Sequence, residues 1–394
     1  MGLKCKIAWK EAAWIFGLSR LTILLFTYLA VTFLPVTPPG SPVMFRGPLK
    51  CAYYNPTCFV LSGWRWDAVH YVTIAHDGYI LTPLTAFFPL FPLLMRAMGF
   101  FLGGSVMADY AAGLIIANTC FYGILVLFYH LVSEDFGHHT AKYALIYLAF
   151  AFYGIFFFVG YTESLFLLLT LAAFLFLRRG KTLDWWLAGL CGFFASLTHA
   201  PGIILVVAFL SLFVERFGWH TLFTRERWWQ KLNAFLSMLL IPAGLLVFML
   251  YQWLTFGNPW LFAVEHTRIW GRSLAFPWVG FINAIQLVIS GGSLVGLTDT
   301  VFTLVPLAAL ILGWKLLPLH YRLYSLAMIL FVLCEPSQKE GLMSVPRLLL
   351  VVFPLFILFA IWSKYRRVAC YLMIPSVIFF IIHTMLLASY SWVA

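Results

Sequence analysis

Apolar runs of about 15 to 25 residues recur along the whole chain, parted by short polar stretches, which is the spacing of helices that cross a hydrocarbon core of about 30 Å. They fall at about 12–34, 107–132, 143–160, 163–178, 184–198, 200–215, 233–254, 301–314, 322–335, 347–362 and 369–391 and predict about eleven transmembrane helices. The alternation of a membrane β-barrel is not visible in them. The stretch 278–314 has room for two short crossings but contains the breaker Ser290-Gly-Gly-Ser293. With Arg178-Arg179-Gly180-Lys181 and Ser363-Lys364-Tyr365-Arg366-Arg367 on the same, cytoplasmic side, only one crossing fits, so 280–298 is expected along the outer interface.

Two segments outside the runs are long: a first outer loop at about 36–106 and a second at about 255–300. Within the first, "TAFFPLFPLLMRAMGF" from Thr85 is apolar but too broken by proline to span. A segment that grips the lipid boundary and a loop packed inside the protein share this composition, and both readings stay open.

Composition sharpens the class. Of 394 residues 63% are apolar and 10% charged, against about half and a quarter in soluble domains; mean hydropathy is +0.95. The chain is therefore expected to be an all-α integral membrane protein, with 1–394 forming a single multi-pass domain. The first run, after Lys4, Lys6 and Lys10, is too long for a signal-peptide core and reads as a retained anchor. A net charge of +11 raises the question of nucleic acid, but the basic residues stand in small groups between apolar runs, as cytoplasmic ends do, and no nucleic acid is expected as partner. Of seven cysteines, Cys51 and Cys58 share the first outer loop, where a disulfide can persist; bridged and free forms are both open.

On this topology Asp67, Asp77, Glu163, Glu265, Glu335 and Glu340 gather on the outer side with His70, His76, His199 and His266. The densest group is "WRWDAVHYVTIAHDGY" from Trp64, predicted as a short helix over 64–76 between Gly63 and Gly78. Asp67 and His70, three apart, share a helix face. An acid near lipid is paired, solvated or functional: an ion pair of Asp67 with Arg65 or a remote arginine is one account, catalysis the other. His70, His76 and Asp77 lack a metal-ligand spacing, and neither a catalytic metal nor a cofactor is expected.

Nucleotide sugars are cytoplasmic, and the sequence has no Gly-rich phosphate loop. A sugar on a lipid phosphate is presented from the bilayer and already carries its leaving group. Transfer then needs one carboxylate to take the acceptor proton and cations to receive the phosphate, with inversion at the sugar.

"WRWDAVHYVTIAHDGY", followed by "TAFFPLFPLLMR", "GYTESLFLLLTLAAFLFLRRG" and "SVPRLLLVVFPLF", resembles the GPI mannosyltransferase 2 (PIG-V) family and its prokaryotic relatives over about 62–362. The resemblance implies a GT-C glycosyltransferase fold, a polyprenyl-phosphate mannose donor, and a catalytic Asp in the first non-cytoplasmic loop, which Asp67 matches. Arg65, Trp66 and His70 flank it as candidate substrate contacts. A Thr-Arg pair expected after the fifth span is here Thr198-His199, so the phosphate contact falls to His199 or has moved to another cation such as Arg347. The family's acceptor need not carry over; a glycolipid or a glycan remains open.

The remaining candidates each have a plainer reading. Glu163 caps its helix or touches the acceptor sugar; Arg347 meets phosphate or snorkels at the interface. Arg268 and Arg272, four apart on a predicted helix, meet a lipid phosphate or belong to an aromatic belt. A transporter or lipid flippase is the main rival function, but it favours charges at the midplane and matching halves, and no internal repeat is evident.

Overall fold

The computed structural model describes residues 3–34, 56–221, 227–291, 294–389 and 393. Among them regular structure is helical, apart from bridge contacts of Ser337 with Arg272 and Gly341. Cys51 and the side chain of Cys58 lie outside the described residues, and with them the disulfide considered above.

In chain order the α-helices are α1 (Leu3–Phe33), α2 (Asp67–Asp77), α3 (Leu90–Phe101), α4 (Val106–Ala149), α5 (Glu163–Arg179), α6 (Thr182–Thr198), α7 (Leu205–Phe217) and α8 (Trp228–Met238). There follow α9 (Leu240–Phe256), α10 (Leu261–Trp270), α11 (Val279–Gly291), α12 (Leu294–Gly313), α13 (Leu319–Leu333), α14 (Val345–Leu348), α15 (Pro354–Trp362) and α16 (Arg366–Ala388). By length and composition six described helical stretches can cross a membrane: Lys6–Phe33, Val106–Ala149, Ala200–Phe217, Trp228–Phe256, Val295–Leu316 and Arg366–Ala388. A seventh forms if the pair Val345–Val351 and Pro354–Trp362, bent by 83°, counts as one span. The eleven expected runs differ from this mainly because α5, α6 and α13 are short, at 17, 17 and 15 residues.

The expected span 143–160 is corrected. Its helix stops at Ala149, and the chain tightens into a 3-10 turn at Gly154–Phe157. Upstream, Gly137 (φ 82°, ψ 168°) kinks α4, a conformation that glycine adopts at little cost.

The chain divides into two compact units: Met1–Ile80, Phe91–Ser164 and Phe359–Ala394 form the first, and Leu81–Leu90 with Leu165–Leu358 the second. In the first, α1 packs on α4 and α16, and α2 lies on α4. The turn after α4 is pinned through its carbonyls: Ser376 donates to Phe150 (2.7 Å), His383 to Phe152 (2.7 Å), Arg20 to Phe157 (2.9 Å) and Asn118 to Phe158 (3.0 Å). These bonds satisfy backbone groups that leave the helical ladder in an apolar setting. They also fix where α5 begins.

Along α3 the Phe-Pro segment divides into packed and exposed residues. Phe91 and Met95 are buried, Met95 against Gly113 of α4, and Phe91 meets Tyr71 edge-on at 5.4 Å. Leu93, Phe100 and Phe101 are exposed, as an interfacial helix requires.

In the second unit small residues let helices close. A Cβ on Gly189 would strike the carbonyl of Ser237, and one on Gly244 that of Phe193, so α6 lies close against α8 and α9; such contacts replace the missing hydrophobic drive in lipid. Phe88 is buried within aromatic reach of Phe248 (5.0 Å) and Phe262 (5.6 Å). Gln252 closes this nest, donating to the Thr85 carbonyl at 3.3 Å and accepting from the Phe262 N–H at 3.0 Å.

Candidate functional site

Asp67 is the first residue of α2, three positions later than the sequence predicts, and Gly78 (φ 82°) ends the helix with its N–H on the Ile74 carbonyl. The late start has a local cause. Trp66 holds φ 50° and ψ −123°, outside the helical region and rare for a bulky side chain. Such a residue costs about 1–3 kcal/mol and persists only where its surroundings over-determine it.

Asp67 thus stands half-buried at the positive end of a helix dipole, where a carboxylate is stabilised. His70, three residues on, feels it: burial pushes the imidazole below its ordinary pKa, and the charge of Asp67 opposes that shift. The two side chains are close enough to interact, as their spacing predicts.

Arg65 is buried. Its guanidinium donates to the carbonyls of Leu387 (2.5 Å) and Ala388 (3.1 Å), at the C-terminal end of α16. The Arg65 carbonyl accepts from the Tyr161 hydroxyl at 3.2 Å. That bond brings the 161–164 segment to the Asp67 corner. Glu163 there is buried in the first turn of α5, beside Ser164, whose hydroxyl donates to the Phe157 carbonyl at 3.2 Å. The first unit therefore gathers Arg65, Trp66, Asp67, His70 and Glu163.

The second unit collects cations. His199 follows the last turn of α6, its ring within 6.5 Å of Phe88 and 6.1 Å of Phe166. His266, on α10, packs on Trp270 at 4.9 Å, and its pKa falls to about 3 through burial and the charges of Arg272, His199 and Arg347. Arg272, His199 and Arg347 thus all act on one neutral imidazole. Arg347 is half-buried and follows Ser344, held at φ 59°, and Pro346 at the helix start.

The expected pairing of Arg268 with Arg272 on one helix face is corrected. Gly271, left-handed at φ 64°, ends α10 after Trp270, so Arg272 lies beyond the helix. Arg268 binds Glu265 (2.6 Å) with its side chain 59% exposed. Arg272 turns inward to the carbonyls of Glu335 (3.3 Å) and Met343 (2.6 Å). Ser337 completes this clasp, donating to the Trp270 carbonyl at 2.7 Å. Glu335 is raised in pKa by burial, with Arg272 acting against the rise.

Sequence reading names His266 only among the outer-side histidines, gives Arg272 a role only as the helical neighbour of Arg268, and weighs His76 as a metal ligand. His76 instead meets Asp109 at 2.9 Å. Nine residues at 1.5 Å each set it about 13 Å along α2 from Asp67. The only available signal was the acid in the first turn of an apolar run, which is costly without a partner.

The mannosyltransferase (PIG-V) family model matches residues 52–283. Human GPI alpha-1,6-mannosyltransferase 2 is 30% identical over 155 residues, 36% of this chain and 30% of the human protein. GPI mannosyltransferase 2 of Cryptococcus neoformans is 27% identical over 236 residues, 56% of this chain and 54% of the fungal one. The chain thus spans under a third of the human relative's length and about half of the fungal relative's. Among solved structures, ArnT from Cupriavidus metallidurans bound to undecaprenyl phosphate aligns with 96% of this chain and 76% of its own, at 12% identity and a TM-score of 0.49. Since the family match takes in more than half of the 394 residues and contains the Trp-Asp block from which the resemblance was read, the chain belongs to the mannosyltransferase (PIG-V) family.

Proposed function

We propose that this protein is a GT-C-type mannosyltransferase that moves mannose from a polyprenyl phosphate to a hydroxyl of a lipid-linked or glycan acceptor, with inversion, at the non-cytoplasmic face of its membrane. Family membership supports the sugar and the reaction class. The observation that carries the mechanism is Asp67, a half-buried carboxylate in the first turn of α2, next to a strained Trp66 and in electrostatic reach of His70.

In this reading Asp67 accepts the proton of the acceptor hydroxyl as that oxygen attacks the anomeric carbon and the bond to phosphate breaks. The leaving phosphate keeps the bonding electron pair, and no general acid is required. His199 and Arg347 receive its charge; His266, neutral in their company, serves as a hydrogen-bonding partner without adding charge. Glu163 binds an acceptor hydroxyl. Arg268 has a lesser part, as a contact with the lipid phosphate at the protein's edge.

The test is Asp67→Asn, which keeps shape and removes the base. With abundance and melting behaviour unchanged, labelled mannose transfer from a synthetic mannosyl-phosphoryl-polyprenol is expected to fall about 10²- to 10⁴-fold. Turnover at the wild-type rate would remove Asp67 as base. His199→Ala should raise the donor KM; donor KM and turnover both unchanged would remove it from the phosphate site.

A further inference from the structure

The corner that presents Asp67 is held from the far end of the chain. Arg65, 5% exposed, spends two donors on the carbonyls of Leu387 and Ala388, 322 and 323 positions away. These belong to the last turn of α16, whose carbonyls have no helical N–H to meet and carry the negative end of the dipole. A planar guanidinium can fork across two neighbouring carbonyls in a fixed direction, and a lysine ammonium cannot.

The same residue is gripped on its main chain. Its carbonyl accepts from the Tyr161 hydroxyl at 3.2 Å and from the Ala68 N–H at 2.9 Å. One position upstream, the Trp64 ring stacks on Tyr110 with centroids 4.9 Å apart and planes 10° apart, and the Tyr110 hydroxyl donates to the Val60 carbonyl at 2.8 Å. Between these holds and the first turn of α2 stands Trp66 at φ 50°. A left-handed tryptophan relaxes unless both neighbours are fixed, so the direction in which Asp67 leaves the corner depends on Arg65.

We propose that Arg65 is a positioning residue for transfer: by clasping the C-terminal end of α16 it sets the orientation of the Asp67 carboxylate, which makes the last turn of α16 part of the catalytic apparatus. This rests on the reading of Asp67 as base, and it replaces the expectation that Arg65 binds substrate.

The test uses the full chain in detergent with the variants Arg65→Met, Arg65→Lys and Tyr161→Phe. Transfer of labelled mannose is measured from a synthetic mannosyl-phosphoryl-polyprenol to a lipid extract of membranes, alongside hydrogen exchange of 64–71 and 383–389. Arg65→Met should lower kcat about 10- to 100-fold, the scale of a small misplacement of a catalytic group, with the donor KM within about threefold of wild type. Arg65→Lys should rescue it only in part. Both segments should exchange faster together, and in an Asp67→Asn background Arg65→Met should add no further loss, because both act through one carboxylate.

A raised donor KM at unchanged kcat would assign Arg65 to the substrate and overturn the proposal, as would multiplying losses in the Asp67→Asn background or unaltered exchange in both segments. If Arg65→Met does not fold, Tyr161→Phe decides: it should lower kcat several-fold without moving KM, and wild-type kinetics would overturn the proposal. Wild-type turnover of Asp67→Asn alone removes the base rather than its support, and the exchange coupling reports on the clasp separately.

Discussion

The imidazole Nδ1 of His76 lies 2.9 Å from Oδ2 of Asp109, tying the last turn of α2 to the first turn of α4. The carboxylate is 5% exposed and the imidazole 34%. Two features hold the acid there. Ser105 caps the helix start, its hydroxyl accepting from the Ala108 N–H at 3.1 Å. Gly99 of α3 leaves space that a Cβ would take from the carboxylate.

His76→Ala should therefore destabilise the first unit. It strands a buried acid that has lost a charge-assisted hydrogen bond, and removing such a partner costs about 1.5–3 kcal/mol. Asp109→Asn keeps an acceptor for the imidazole and should lose less. Thermal unfolding in detergent reads both, and an unshifted midpoint in His76→Ala would show that the pair contributes nothing.

The contrast between this pair and Asp67 with His70 shows what local sequence can carry. The i, i+3 spacing places Asp67 and His70 on one face, and Gly78 marks the helix end, because both depend only on helical period and on the left-handed preference of glycine. His76 with Asp109, and Arg65 with Leu387 and Ala388, join positions 33 and more than 300 apart. Those contacts arise from helix packing, which periodicity does not encode. The error at Arg268 and Arg272 was local: a single left-handed Gly271 ended a helix that composition would have let run on.

Arg268 and Arg272 should behave as different kinds of residue. The Arg268 side chain is 59% exposed but pairs within α10 with Glu265, which is 6% exposed, so its removal leaves one buried carboxylate, at about 1–3 kcal/mol, and acts within α10. Arg272→Ala instead orphans the carbonyls of Glu335 and Met343, at about 1–3 kcal/mol for each buried group left unsatisfied. Limited proteolysis should find cleavage within 334–344 in Arg272→Ala and the wild-type pattern in Arg268→Ala. Equal sensitivity of the two variants would contradict the clasp.

His266 makes a prediction about acid. Its folded pKa is about 3, lowered from 6.5 by burial and then by Arg272, His199 and Arg347. Between those values the unfolded chain binds a proton that the folded chain does not, so stability rises with pH through the window and is fully present above about 6.5. His266→Gln keeps a neutral polar side chain and removes this proton. The fall in melting midpoint from pH 6.5 toward acid should be shallower in the variant than in wild type. Parallel slopes would mean that His266 titrates normally in the folded protein.

Arg20 tests how a buried cation is carried inside an apolar helix. Its guanidinium is 6% exposed, lies over the Phe121 ring at 4.1 Å with Phe16 and Phe158 at 5.0 and 5.8 Å, and gives one donor to the Phe157 carbonyl. Nε and Nη1 have no hydrogen-bond partner among the described residues. Stacking returns about 2 kcal/mol when desolvated, against a burial penalty of several kcal/mol for the ion. A methionine of similar reach fills the aromatic cage with a polarizable sulfur and no charge, and the Phe157 carbonyl still accepts from Ser164. Lysine keeps the charge but concentrates it in a more strongly hydrated ammonium that stacks poorly. Arg20→Met should therefore melt at or above the wild-type midpoint and Arg20→Lys below it. The reverse order would show that the cage and the carbonyl hold the ion more strongly than burial opposes it, and that charge at this position is itself stabilising.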